Sequence, residues 1–216
     1  MKLLSSFGPN PRMVLMFMAE KNITMAIENH DILGGENRRE PYLKKNPTGQ
    51  VPCLELDNGQ VISETVAICE YLEELHPTPA LIGATPVERA EARMALRRVE
   101  LNVCEYFYNS FRFGAGLPLF KDRVRCLPEA SAGLNAKGMD GLALVDTLLQ
   151  GKRFLCGERL TIGDLVLYCC LDFYVSTGAK IDPALKNVQA WLARVNDRPS
   201  ANSSLSANWR EIGMRG

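Results

Sequence analysis

The sequence predicts two parts of different architecture: a mixed α/β (α+β) domain over residues 1–78 and an all-α domain over residues 86–216. Three observations carry this. Strand-like and helix-like stretches alternate up to His76, with a hairpin signal among them. Pro77-Thr78-Pro79 stops that pattern, and residues 79–85 show no periodicity, as expected of a linker. From Pro86 onward only helical spacing recurs.

In the first part, residues 2–5 read as a short strand. Phe7 to Pro11 is a loop whose last proline suits a helix start. Val14, Leu15, Phe17 and Met18 then fall at helical spacing within residues 12–22. Residues 25–31 read as a second strand, 34–39 as a polar loop and 40–45 as a short, poor helix. Asn46-Pro47-Thr48-Gly49 is a turn, because proline fixes φ and glycine frees the backbone. Cys53 to Leu56 alternates as a strand, Asp57-Asn58-Gly59 turns it, and Val61-Ile62 starts the return. Ser63 or Glu64 caps a helix over residues 66–76. Strand, helix, strand, helix, strand, strand, helix is the order of a thioredoxin-like domain, a mixed sheet covered by helices on both faces.

The second part opens with a long helix over residues 87–114. Residues 122–150 look less regular, because Pro128, Gly133, Gly138 and Gly141 weaken them; 139–149 is the firmest piece. Thr161-Ile162-Gly163-Asp164 forms a capping box ahead of an apolar helix, and residues 183–195 make another, ended before Pro199. The tail is polar apart from Trp209 and is expected either to fold back or to stay mobile.

Totals exclude several classes. Lysine plus arginine equals aspartate plus glutamate at 25 each, so no global field draws nucleic acid or an acidic membrane. No apolar run reaches the ~18–20 residues of a membrane span, and the N-terminus has no signal-peptide pattern, so a cytoplasmic protein is expected. The seven cysteines are scattered without a Cys-x-x-Cys, and only His30 and His76 are present, which argues against a metal site or a dithiol.

The chemically telling residue is Pro52. A proline belongs at the first residue or edge of a strand, which leaves the N–H and C=O of Val51 to face outward. Those groups suit an extended peptide laid alongside, while Glu64-Thr65 at the next helix start suits an anion. The plain alternative is an ordinary hairpin feeding a helix.

Asn-Pro-x-Gly-Gln-Val-Pro, a hairpin, then Ser-Glu-Thr-x-Ala-Ile-x-x-Tyr-Leu resembles the N-terminal domain of glutathione transferases. The helical order after Pro86, with Thr161 and Asp164 as a buried structural cap, resembles their C-terminal domain. Pro9-Asn10-Pro11-Arg12 is most similar to the bacterial and fungal group with a Pro-Asn-x-Arg first loop. The resemblance implies a cis bond before Pro52, pairing of Val51 with the cysteine of glutathione, and Glu64 and Thr65 on its γ-glutamyl end. It implies a cation for the glycine carboxylate, for which Asn37 and Arg38 stand in place; Arg38 is otherwise a solvated loop charge. Gln50 would bond the peptide's amides. A homodimer is implied as well.

Such an enzyme must hold a thiolate at neutral pH, although a free thiol has a pKa of about 8.5. Relatives place Tyr, Ser or Cys in the first loop, but Gly8, Pro9 and Asn10 carry no hydroxyl or thiol. Asn10 is the first candidate for thiolate stabilisation and Ser6 the second, with Ser5 beside it; a water held by the second domain is a third source. Asn10 is otherwise a plain helix-start residue. The absent loop cysteine argues against mixed-disulfide chemistry, and Cys53 reads as core. The acceptor pocket is expected between the domains, on the helix face carrying Asn102, Tyr106, Asn109 and Phe113, with Phe107, Phe111 and Arg112 close by; the same aromatics also suit core or interface.

The expected activity is conjugation of glutathione to small hydrophobic electrophiles, with glutathione as co-substrate, no metal, and peroxidase activity within reach. The alternatives are a glutathione-dependent disulfide reductase and a non-catalytic scaffold of the same fold.

Overall fold

The computed structural model describes residues 1–207 and 209–212. They form two compact units. One joins Met1–Ala80 to the described residues from Pro199 on, and the other is Leu81–Arg198.

The first unit is built on β1 (Lys2–Ser5), α1 (Pro9–Glu20), β2 (Ala26–Asn29), α2 (Tyr42–Lys45), β3 (Cys53–Glu55), β4 (Val61–Ser63) and α3 (Thr65–Leu75). The sheet runs β2-β1-β3-β4, with β1 parallel to β2 and antiparallel to β3, and β3 antiparallel to β4. Leu3 and Leu4 are neighbours on β1 and both are fully buried, so both faces of the sheet are covered. Each such leucine contributes about 1.5–3 kcal/mol of burial. Phe17 from α1 and Ile68 and Leu72 from α3 complete the core. The α1 helix starts at Pro9, three residues earlier than expected, because a proline is well placed at the first helical position.

A helical domain running on past Pro199 was expected; instead α10 (Pro199–Ser203) groups with the first unit. The physical reason is Arg12. Its side chain is 1% exposed, and it donates from Nη2 to the Ala201 carbonyl at 3.0 Å and from Nε to Ser204 Oγ at 3.4 Å. The hydroxyl of Ser200 bonds the Glu20 carboxylate. A buried guanidinium needs acceptors, and the tail supplies two. A further short helix, α11 (Trp209–Ile212), follows.

The second unit contains α4 (Pro86–Val99), α5 (Glu105–Phe113), α6 (Leu117–Phe120), α7 (Ser131–Leu148), α8 (Ile162–Ser176) and α9 (Lys186–Asn196). Thr85 and Glu88 form a capping box at the start of α4. The expected long helix is interrupted by a π-helical segment, Glu100–Cys104, in which Asn102 Nδ2 bonds the Arg98 carbonyl at 2.8 Å. The α7 helix is continuous where an irregular stretch was expected. Gly138 and Gly141 do not weaken it; they let it close on its neighbours. A Cβ on Gly141 would lie 1.8 Å from the Asn102 carbonyl oxygen, and one on Gly138 would lie 2.5 Å from the Phe107 ring. Packing here overrides propensity. Asp164 is fully buried and accepts from the Thr161 N–H and hydroxyl, the Leu155 N–H and the Trp191 indole, at 2.9 to 3.0 Å. Burial pushes its pKa up, and these four donors pull it back.

Candidate functional site

The segment from Asn46 to Pro52 is held almost entirely by side chains. Gly49 N–H closes the turn on the Asn46 carbonyl at 2.9 Å. Asn46 Oδ1 accepts from the Thr48 N–H at 3.2 Å and from its hydroxyl at 2.9 Å. Three successive carbonyls are then fixed from the protein side. Arg38 Nη1 reaches Thr48 O at 3.1 Å, and Asn37 Nδ2 reaches Gly49 O at 2.6 Å. Tyr42 Oη and Asn46 Nδ2 reach Gln50 O at 2.6 and 2.9 Å. Gly49 has φ +62, and a Cβ there would lie 2.9 Å from the Asn37 carbonyl oxygen, so only glycine fits. The Val51–Pro52 bond is cis. Neither the N–H nor the C=O of Val51 has a hydrogen-bond partner among the described residues.

Asn37 and Arg38 sit on a 3-10 turn, Glu36–Arg38, where a plain polar loop was expected. Glu36 braces that turn: one carboxylate oxygen accepts from the Asp31 N–H at 2.8 Å and the other lies 2.6 Å from His30 Nδ1. The Asp31 backbone bond, then the His30 contact, hold the Glu36 pKa below its usual value. Asn37 is buried and its Oδ1 has no partner among the described residues.

Glu64 lies at the start of α3 with φ +70, a conformation rare for any residue but glycine. No side chain caps α3, so its first N–H groups and the positive end of its dipole are available to a ligand. Backbone held this way costs about 1–3 kcal/mol and tends to mark ligand clamps.

Asn10 falls inside the first turn of α1 rather than just ahead of it, behind Gly8 at φ +124. Its half-exposed side chain makes no hydrogen bond among the described residues. Ser6 differs: its hydroxyl donates to the His30 carbonyl at 2.8 Å, tying β1 to the end of β2, and a donor held there is not offered to a thiolate. Ser5 Oγ faces the Ser6 carbonyl at 3.4 Å. Cys53 is fully buried, 3.1 Å from Tyr42 Oη, and burial pushes its thiol pKa up, which makes it inert core. Beside the same β1–α1 loop a cleft of about 600 Å³ is walled by Phe7, Leu15, Leu33 and Leu205. Sequence reasoning did not single out that wall, since residues 7 and 205 share no pattern.

On α5, Tyr106, Asn109, Arg112 and Phe113 are all partly exposed. Lys137 Nζ lies 5.3 Å from the Tyr106 ring centre, and Arg112 Nη1 donates to Asn109 Oδ1 at 3.2 Å. Phe107 is core, stacked on Tyr174 with ring centres 4.0 Å apart. Among the described residues no cluster of His, Cys, Asp or Glu is arranged to hold a metal, and no helix is long and apolar enough to cross a membrane.

Comparison with known proteins bears on this geometry. The family model described as glutathione S-transferase, N-terminal domain, matches residues 7–75, and the one described as glutathione S-transferase, C-terminal domain, matches residues 134–199. A solved glutathione S-transferase domain-containing protein from Marinobacter aquaeolei is 34% identical, with a TM-score of 0.87 over 93% of this chain and 99% of its own. This chain belongs to the glutathione S-transferase family. Within that family, glutathione S-transferase 2 of Saccharomyces cerevisiae is 29% identical over 205 residues, 92% of this chain and 86% of that protein. The maleylacetoacetate isomerase of Pseudomonas aeruginosa is 48% identical over 134 residues, 62% of this chain and 61% of that protein. The mixed four-stranded sheet and the helical second unit are the glutathione S-transferase fold.

Proposed function

We propose that the first unit binds glutathione and that the enzyme adds its thiolate to small hydrophobic electrophiles. The observation carrying this is the pair of unpartnered backbone groups on Val51, beside an uncapped helix start where Glu64 holds φ +70. In this reading the cysteinyl N–H and C=O of glutathione pair with Val51. Its γ-glutamyl end lies on Glu64 and Thr65, and its glycine carboxylate faces Arg38 and Asn37, with Gln50 on the amides. Pro52 sets the path of the strand.

Asn10 is the group we assign to the sulfur. Its side-chain amide and its backbone N–H in the first turn of α1 both donate to an anion, and the helix dipole adds to them. Ser6 takes second place because its proton already serves His30. The thiolate attacks the electrophilic carbon, the sulfur–carbon bond forms, and a leaving group or a proton balances the step. Apolar acceptors suit the wall of Phe7, Leu15, Leu33 and Leu205, and on the second unit Tyr106, Asn109, Arg112 and Phe113. Peroxidase turnover would use the same thiolate. A homodimer is supported by Val87, Met94 and Leu101, exposed at seven-residue intervals along α4 and the π-helical segment.

The test is retention on glutathione resin followed by conjugation of chlorodinitrobenzene. Retention with turnover supports the transferase; absence of retention overturns it in favour of a scaffold. The isomerase similarity favours a second reading, in which the thiolate adds to an activated double bond, the bond rotates, and glutathione leaves unconsumed. Turnover of a cis-enedione without loss of free thiol would select it.

A further inference from the structure

Tyr42 and Asn46 are used by neither the proposed chemistry nor the proposed ligand contacts, yet both are buried and both donate to one atom, the Gln50 carbonyl oxygen, at 2.6 and 2.9 Å. That oxygen belongs to the peptide group whose other end is the Val51 N–H. Among the described residues the cis bonds are Glu40–Pro41, Val51–Pro52 and Thr78–Pro79, so the Gln50–Val51 bond is trans. In a planar trans peptide the C=O and the N–H point in opposite directions. Two donors gripping the oxygen from inside the protein therefore turn the Val51 N–H away from it.

We infer that Tyr42 and Asn46 are positioning residues for glutathione: by anchoring the Gln50 carbonyl they aim the Val51 N–H at the cysteinyl carbonyl of the tripeptide. This rests on the glutathione reading of the site and adds to it the groups that pre-orient its central hydrogen bond. Neither side chain is free to turn away. The Tyr42 ring meets His30 edge-on at 4.9 Å and packs with Leu4 and Cys53. Asn46 has its Oδ1 fixed by Thr48, so its Nδ2 can only face Gln50. Burial pushes the phenol pKa far up, and the hydroxyl stays a donor through the working pH range. Without these two grips only the long contact from Cys53 Sγ, at 3.7 Å, holds the oxygen; the peptide plane can rotate about the bonds flanking it, and the ligand must then pay to fix it.

The experiment titrates glutathione by calorimetry into wild type and Tyr42→Phe, which removes the hydroxyl and keeps the ring. A second probe is the glutathione analogue with glycolate in place of glycine, whose cysteinyl carbonyl is an ester and a poorer acceptor. The expected result is a Kd for glutathione raised about five- to tenfold, with kcat at saturating glutathione within about twofold. The wild-type preference for glutathione over the ester should also shrink in the variant, because a misaimed N–H no longer distinguishes the two carbonyls. Asn46→Asp keeps the oxygen that serves Thr48 and loses the donor, so it must shift Kd in the same direction; it decides the matter if Tyr42→Phe does not fold. An unchanged Kd, or an equal ester preference in both proteins, overturns the inference while leaving the site intact. A wild-type protein that binds no glutathione overturns the site itself.

Discussion

Replacing Glu64 by glycine should make the protein more stable and a poorer binder at once. Glu64 holds φ +70, and its side chain is exposed with no cap to make. Removing the Cβ relieves about 1–3 kcal/mol of backbone strain. Glycine returns roughly 0.5–1 kcal/mol of that through the greater freedom of the unfolded chain. The net gain is about 1 kcal/mol, which for a chain of 216 residues raises Tm by about 2–4 °C. Binding moves the other way. Loss of a charged acceptor for the γ-glutamyl end costs about 1.5–3 kcal/mol, or about ten- to a hundredfold in Kd for glutathione. Differential scanning calorimetry without ligand and titration calorimetry with glutathione measure the two terms separately. A Tm that falls together with unchanged affinity would refute the reasoning, since the strain would then serve the fold and not the ligand.

Three further outcomes are expected. Asp164→Asn leaves two of its four buried donors facing an amide, so denaturant unfolding should show a loss of about 4 kcal/mol, with any activity surviving in the folded fraction. Gly141→Ala should destabilise by about 1–3 kcal/mol although alanine is the better helix former, because its Cβ would meet the Asn102 carbonyl at 1.8 Å; a stabilised variant in urea melts would show that the helices simply move apart. Asn10→Ala should lower kcat for chlorodinitrobenzene while Kd for glutathione moves less than twofold; stopped-flow measurement of the bound thiolate would reveal a raised thiol pKa, and an unaltered pKa would pass the role to a water.

What could be read in the sequence was local. The turn at Gly49, the strand beginning behind Pro52 and the hairpin at Gly59 each depend on residues within a few positions, and backbone geometry alone decides them. The capping box at Thr161 was legible for the same reason. Gly138 and Gly141 misled, because intrinsic propensity says nothing of a neighbour that requires a missing Cβ. Ser6 stood out as a hydroxyl near the loop, and only the fold shows that His30 already receives its proton. Tyr42 was not singled out within the short, poor helix expected over residues 40–45; its hydroxyl gained meaning only when the turn brought Gln50 back to it. Arg12 was recognised as a motif letter, and nothing in a one-dimensional reading joins it to Ala201.

That last contact has a bearing on how the protein is made. One acceptor of the Arg12 guanidinium, the Ala201 carbonyl, lies 189 positions further along the chain. At ribosomal speeds of about 5–20 residues per second, roughly ten to forty seconds pass between Arg12 and the synthesis of that acceptor. Until then the bond that ties α10 to α1 has only one of its ends, so the docking of the tail on the first unit is deferred until nearly all of the helical unit has left the ribosome.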